Sequence, residues 1–97
     1  MFVGIAVLDL HLPHARDLKA KRRVVRGLVD RLHARYRLSI AETANQDLHQ
    51  RAEIGIAVVA RDAAEVDRIL EQVLGTVEDE PEAMVLEWSP RTVRGRE

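Results

Sequence analysis

Residues 52–77 read AEIGIAVVARDAAEVDRILEQVLGTV, and the spacing of apolar side chains changes partway along them. Ile54, Ile56 and Val58 alternate with Gly55, Ala57 and Val59, the period of two that a strand imposes on its faces. From Val66 the apolar positions become Val66, Ile69, Leu70, Val73, Leu74 and Val77, the three-and-four spacing of one helix face. Between the two patterns stand Asp62 and Glu65, a capping-box-like start in which a carboxylate accepts from free backbone amides. The stretch therefore predicts a strand over residues 52–60 and a helix from Asp62 to about Val77, its last turn weakened by Gly75.

Toward the N-terminus, residues 45–51 are polar and turn-rich, and residues 38–43 alternate Leu38, Ile40 and Glu42 with Ser39, Ala41 and Thr43. That alternation reads as an edge strand with one wetter face. Before it, Leu18, Val25, Leu28, Val29, Leu32 and Tyr36 form a helical stripe, with Asp17 as N-cap. Residues 2–12 are apolar on both faces, the pattern of a covered central strand, and Pro13 ends it. On the C-terminal side, Asp79, Glu80 and Pro81 connect to a last strand over residues 83–89 carrying Met84, Val85, Leu86 and Trp88. Pro90 predicts its end, and residues 89–97 read as a polar tail expected to fray.

Strand, helix, strand, strand, helix, strand is the split βαβ order, so the expected fold is α+β and ferredoxin-like, βαββαβ. One domain over residues 1–97 then carries a four-stranded antiparallel sheet with both helices on one face. In that topology the first and third strands are central and apolar on both faces, while helices cover only one. The other face needs a cover, with Gly4, Ala6, Gly55 and Ala57 permitting close approach. A second copy of the chain, giving a homodimer through the sheet face, is the simplest candidate.

Composition bounds the function classes. Ninety-seven residues make one core, and 46% hydrophobic with 32% charged residues fits a folded domain rather than a disordered chain. The chain contains no cysteine, which removes disulfides and thiolate chemistry and fits a reducing cytosol. The apolar N-terminal run is interrupted by Asp9 and His11 at half the length of a membrane span, so neither a signal peptide nor an anchor is expected. Overall net charge is −1, but its distribution is uneven. Residues 16–37 hold nine bases against Asp17 and Asp30, a net of +7; residues 62–87 hold nine acids against Arg68, a net of −8.

The basic first helix is the most evident functional feature. Guanidinium groups on one exposed face can neutralise successive phosphates of a nucleic acid, and Lys19, Arg22, Arg23 and Arg26, with Arg51 assisting, are the candidates. The competing reading is a solvated face whose charges attract the acidic second helix. Stacking of RNA bases on the sheet is not expected, because the only aromatics are Phe2, Tyr36 and Trp88. Lys21 falls inside the apolar stripe. With Asp9 and Glu42 nearby in the sheet it is either a depressed-pKa lysine or a buried ion pair or, the more ordinary outcome, buries its stem and extends its ammonium outward.

Gln46, Asp47, His49 and Gln50 gather an acid, an imidazole and two amides in one turn, which could orient a proton or an anion. They could equally be the hydrogen-bonded hairpin that fixes strand register, and no nucleophile accompanies them. His11 and His14 are not placed to bind metal. No phosphate loop or nucleophile elbow is present, so neither a cofactor nor enzymatic activity is expected. Acylphosphatases share the topology, but Leu12-Pro13-His14-Ala15-Arg16 stands where their glycine-rich anion loop would follow the first strand.

The chain resembles the YlxP-like family of small bacterial proteins, a domain of unknown function. The resemblance rests on Val3-Gly4-Ile5, the Leu18 to Val25 run, Asp30-Arg31-Leu32, Arg35-Tyr36, Ser39-Ile40-Ala41-Glu42, the Gln46 to Ala52 turn and Gly55-Ile56-Ala57-Val58-Val59. It covers about residues 2 to 88. Two positions depart from the family's pattern: Asp17 stands in place of serine, with capping retained, and His49 in place of tryptophan, which takes the indole ring out of the hairpin. The resemblance implies a ferredoxin-like fold in a bacterial cytosol. It also implies association with RNA or the ribosome, since genes of the family often lie near those of translation initiation and ribosome maturation.

Overall fold

The computed structural model describes residues 1–96. It contains β1 (Phe2–His11), α1 (Leu18–Arg35), β2 (Ser39–Ala44), β3 (Arg51–Ala60), α2 (Ala63–Glu78) and β4 (Met84–Arg94). The sheet order is β2-β3-β1-β4 and every pairing is antiparallel, as expected for a ferredoxin-like fold. Both helices start at their expected caps. The Asp17 carboxylate accepts from the Ala20 N–H at 2.8 Å, and the Asp62 carboxylate accepts from the Glu65 N–H at 2.8 Å.

Even-numbered residues of the central strands point to the helices. Gly4, Ala6, Leu8 and Leu10 of β1 and Ala52, Ile54, Ile56 and Val58 of β3 are buried there. They meet Val24, Leu28 and Leu32 of α1 and Val66, Leu70, Val73 and Val77 of α2 in one core. Gly4 and Ala6 thus serve the helix face, not the open face expected for them. A Cβ on Gly4 would stand 2.5 Å from Val66 Cγ1 and 2.9 Å from Val58 Cγ1, so glycine lets α2 approach β1. Gly55 and Ala57 do lie on the open face, where the Thr43 side chain covers Gly55.

The last strand runs past its expected end at Ser89 to Arg94, so residues 89–94 are paired rather than frayed. Phe2 faces Arg94, Val3 faces Val93 and Ala6 faces Pro90. Pro90 is tolerated because β4 is an edge strand, whose outward backbone positions need no ladder donor. Thr92 donates to the Asp67 carboxylate at 3.1 Å, and the Gly95 N–H donates to the Met1 carbonyl at 2.8 Å. Glu97, the last residue of the expected tail, lies outside the described residues.

Candidate nucleic-acid interface

The direction of α1 is set by its buried residues, Lys21, Val24, Leu28 and Leu32, whose three-and-four spacing forms the core-facing stripe. Lys19, Arg22, Arg23 and Arg26 are all exposed, and with Asp17, Ala20, Gly27 and Asp30 they line a shallow open groove along the helix. Among the described residues, no carboxylate comes within ion-pair distance of Lys19, Arg22 or Arg26. Arg23 reaches Glu82 at 3.7 Å, with both side chains largely in solvent, a contact of small worth.

The C-terminal half of α1 behaves differently. Arg31 pairs with Glu80 of the loop after α2, and Arg35 donates to Thr76 Oγ1 of α2 at 3.3 Å, so this half of α1 is engaged, although no ion pair joins the two helices themselves among the described residues. Burial by itself would raise the Glu80 pKa. The Glu82 backbone N–H and the Arg31 guanidinium outweigh burial and hold it below the ordinary glutamate value. These contacts bring the end of α2 to the C-terminal half of α1. Residues 18–26 consequently extend beyond it, beside the loop after α2 and the β2–β3 turn.

That exposed half is also the positive end of the helix dipole. No acid occupies the first turn of α1, whereas α2 carries Glu65 there. Cations in this position are mildly destabilising to the helix and add to the potential an anion meets.

Lys21 does not extend outward. Its side chain is 1% exposed, and its Nζ lies 2.6 Å from the Asn45 carbonyl, 2.7 Å from the Leu48 carbonyl and 2.7 Å from Glu42 Oε2. The Glu42 contact is a charge pair without hydrogen-bond alignment, while the two carbonyls accept in good geometry. Two carbonyl acceptors and one carboxylate charge therefore surround the ammonium. Asp9, the other partner considered, instead pairs with Arg51 at 3.5 Å. The short polar-loop sequence holds the signal for this arrangement only in its backbone carbonyls, which no side-chain motif reports.

Gln46, Asp47, His49 and Gln50 are all exposed. The turn is built on Asn45 at φ 63 and a Leu48 N–H to Asn45 carbonyl bond of 3.0 Å. The Gln50 carbonyl accepts from the Leu12 N–H at 2.9 Å and lies 3.2 Å from His11 Nδ1. Gln46 donates to the Glu42 carbonyl at 3.3 Å, and Gln50 donates to the Pro13 carbonyl at 3.5 Å. These groups hold the turn and its neighbouring loop together. Arg51 sits on the open sheet face, across the sheet from α1, so the structure does not bring it together with Lys19, Arg22, Arg23 and Arg26. No cluster of three or more metal-ligating side chains occurs among the described residues, and no helix is long and apolar enough to cross a membrane.

Comparisons with known proteins agree with this architecture. The family described as "Protein of unknown function (DUF503)" matches residues 3–89. The uncharacterized protein YlxP of Bacillus subtilis (strain 168) is 31% identical over 80 residues, covering 82% of this chain and 87% of that protein. Among solved structures, a de novo designed protein with a ferredoxin fold superposes with a TM-score of 0.56 at 20% identity, over 100% of this chain and 90% of its own. An acylphosphatase from Bacillus subtilis superposes with a TM-score of 0.51 at 17% identity, over the same shares. At these identities the two structures show the fold alone.

Proposed function

The chain belongs to the DUF503 family of proteins of unknown function, and from that membership, which assigns no activity, we propose a non-enzymatic RNA- or ribosome-associated protein of the cytoplasm that holds phosphates on the first half of α1. The observation that carries the reading is the contrast along one helix. Arg31 and Arg35 are engaged by α2 and the loop after it, while Lys19, Arg22 and Arg26 stand exposed and without a carboxylate among the described residues. An exposed row of unmatched cations at the positive helix end fits a polyanion better than it fits helix packing.

The non-enzymatic part rests on the turn and the first loop. The Gln46 and Gln50 amides are spent on hydrogen bonds to backbone carbonyls, and Asp47 and His49 stand exposed with no nucleophile beside them. The acylphosphatase likeness does not extend to an anion loop: Leu12 and Ala15 are buried, and the Ala15 N–H donates to the Leu12 carbonyl at 3.2 Å.

The test is a titration of labelled single-stranded RNA at two ionic strengths. Four phosphate contacts give a slope of about −3 in log affinity against log salt, so binding weakens about fifty-fold between about 50 and 200 mM salt. The triple variant Arg22→Glu, Arg23→Glu, Arg26→Glu loses the binding and most of the salt dependence. Equal binding by both proteins excludes the helix.

A further inference from the structure

We infer that a second copy of this chain covers the open sheet face, related to the first by a two-fold axis running across the strands along the row Ala41, Gly55, Val7 and Ser89. These four residues are aligned by register, Ala41 with Gly55, Gly55 with Val7 and Val7 with Ser89.

The centre of the face is an exposed apolar patch bordered by charged and polar side chains. Ile5 is 43%, Val7 39% and Val59 65% exposed, and Val3, Ala57 and Val93 complete the patch. A solvated antiparallel sheet face carries polar residues at such positions. Strands of ten, six, ten and eleven residues, at about 3.3 Å per residue and about 4.8 Å between strands, present a projected face of about 600 Å². Side-chain relief adds to that area, which approaches the about 800 Å² per partner of a standard interface.

Charge identifies the occupant. Glu87 and Arg91 are exposed on the open face of β4, two positions on either side of Ser89, opposite Asp9 and Ile5 of β1. Neither has an opposite charge within ion-pair distance among the described residues. The other acids of the face are engaged within the chain, Asp9 by Arg51 and Glu53 by the Thr43 hydroxyl at 2.6 Å.

Rotation about the row through Ser89 keeps β4 over β4 and reverses its direction. Glu87 of each copy then lies over Arg91 of the other, so both unmatched charges are satisfied by one operation. Val7 meets its own copy at the axis, flanked by small Gly55 and Ser89, and the two sheets pack in the aligned manner of sandwiches. Self-complementarity of this kind is the property of an isologous two-fold interface. Because α1 lies on the other side of the sheet, this inference is independent of the phosphate reading, and the dimer presents its two basic helices outward.

Sedimentation from micromolar to millimolar concentration tests it. The wild-type chain sediments as a concentration-dependent dimer, and Val7→Arg, folded by circular dichroism, sediments as a monomer. Arg91→Glu sets two carboxylates against each other on each side of the axis at its β4 end and weakens self-association about tenfold. The swap Glu87→Arg with Arg91→Glu restores it, since the pair is merely reversed. A strict monomer across the range overturns the inference, as does a dimer that Arg91→Glu leaves unchanged or a swap no tighter than the single variant.

Discussion

Among single residues, Lys21 governs the end of the molecule that carries the proposed function. It joins the first turn of α1 to the turn between β2 and β3 through the Asn45 and Leu48 carbonyls and to the sheet through Glu42. Replacing it with methionine keeps the apolar stem but strands a carboxylate and two carbonyls, a loss of about 3 kcal/mol. Urea denaturation of Lys21→Met should show that loss, and a change within about 0.5 kcal/mol would contradict the anchoring role. Sequence spacing places Lys21 in the buried stripe but favours an outward ammonium, because the oxygens that retain it are mostly backbone atoms supplied by a distant turn. The cations one helical face away are legible as exposed, since amphipathic spacing alone separates Lys19, Arg23 and Arg26 from Leu28 and Leu32, whereas the burial of Val24 is not read from it.

At the level of elements, caps and periodicity are the readable signals, and both helices begin at their expected aspartates. The misplaced boundary is β4, where Pro90 reads as a stop although an edge strand accommodates it. Strand position within a sheet is a tertiary property, so local sequence does not separate a terminator from an edge proline. The side on which Gly4 and Ala6 lie is illegible for a related reason: small residues mark close approach without saying by what, and the answer is α2.

Between elements, Glu80 ties the end of α2 to Arg31 of α1 with a carboxyl pKa below its ordinary value of 4.5. A depressed folded-state pKa contributes stability that is complete above the unfolded value and is lost as pH falls through the folded one. Stability measured in urea should therefore decline on acidification below pH 4.5, and Glu80→Gln should flatten part of that decline. An unchanged acid profile in the variant would remove Glu80 from the account.

On the scale of the whole molecule, the chain is elongated, 46 × 21 × 19 Å, and its surfaces are specialised by side. One side of the sheet bears the helices, with unmatched cations on the half of α1 that outreaches α2. The other side is apolar, with Glu87 and Arg91 placed for a copy of itself. The charge segregation of the sequence survives folding only in part: the C-terminal half of α1 is engaged with Thr76 and Glu80, while in the N-terminal half Lys19, Arg22 and Arg26 have no acidic partner among the described residues. Arg51, joined to that cluster by sequence alone, belongs to the opposite face, since strand parity sends it away from α1. The central claim is that phosphates meet α1 and not the sheet. Amide chemical-shift mapping during titration with a short single-stranded RNA tests it most directly. Perturbations should concentrate at Lys19, Arg22, Arg23 and Arg26, while Ile5, Val7, Ala57 and Val59 stay unmoved. Perturbations centred on those four sheet residues, or none at saturating RNA, would contradict it.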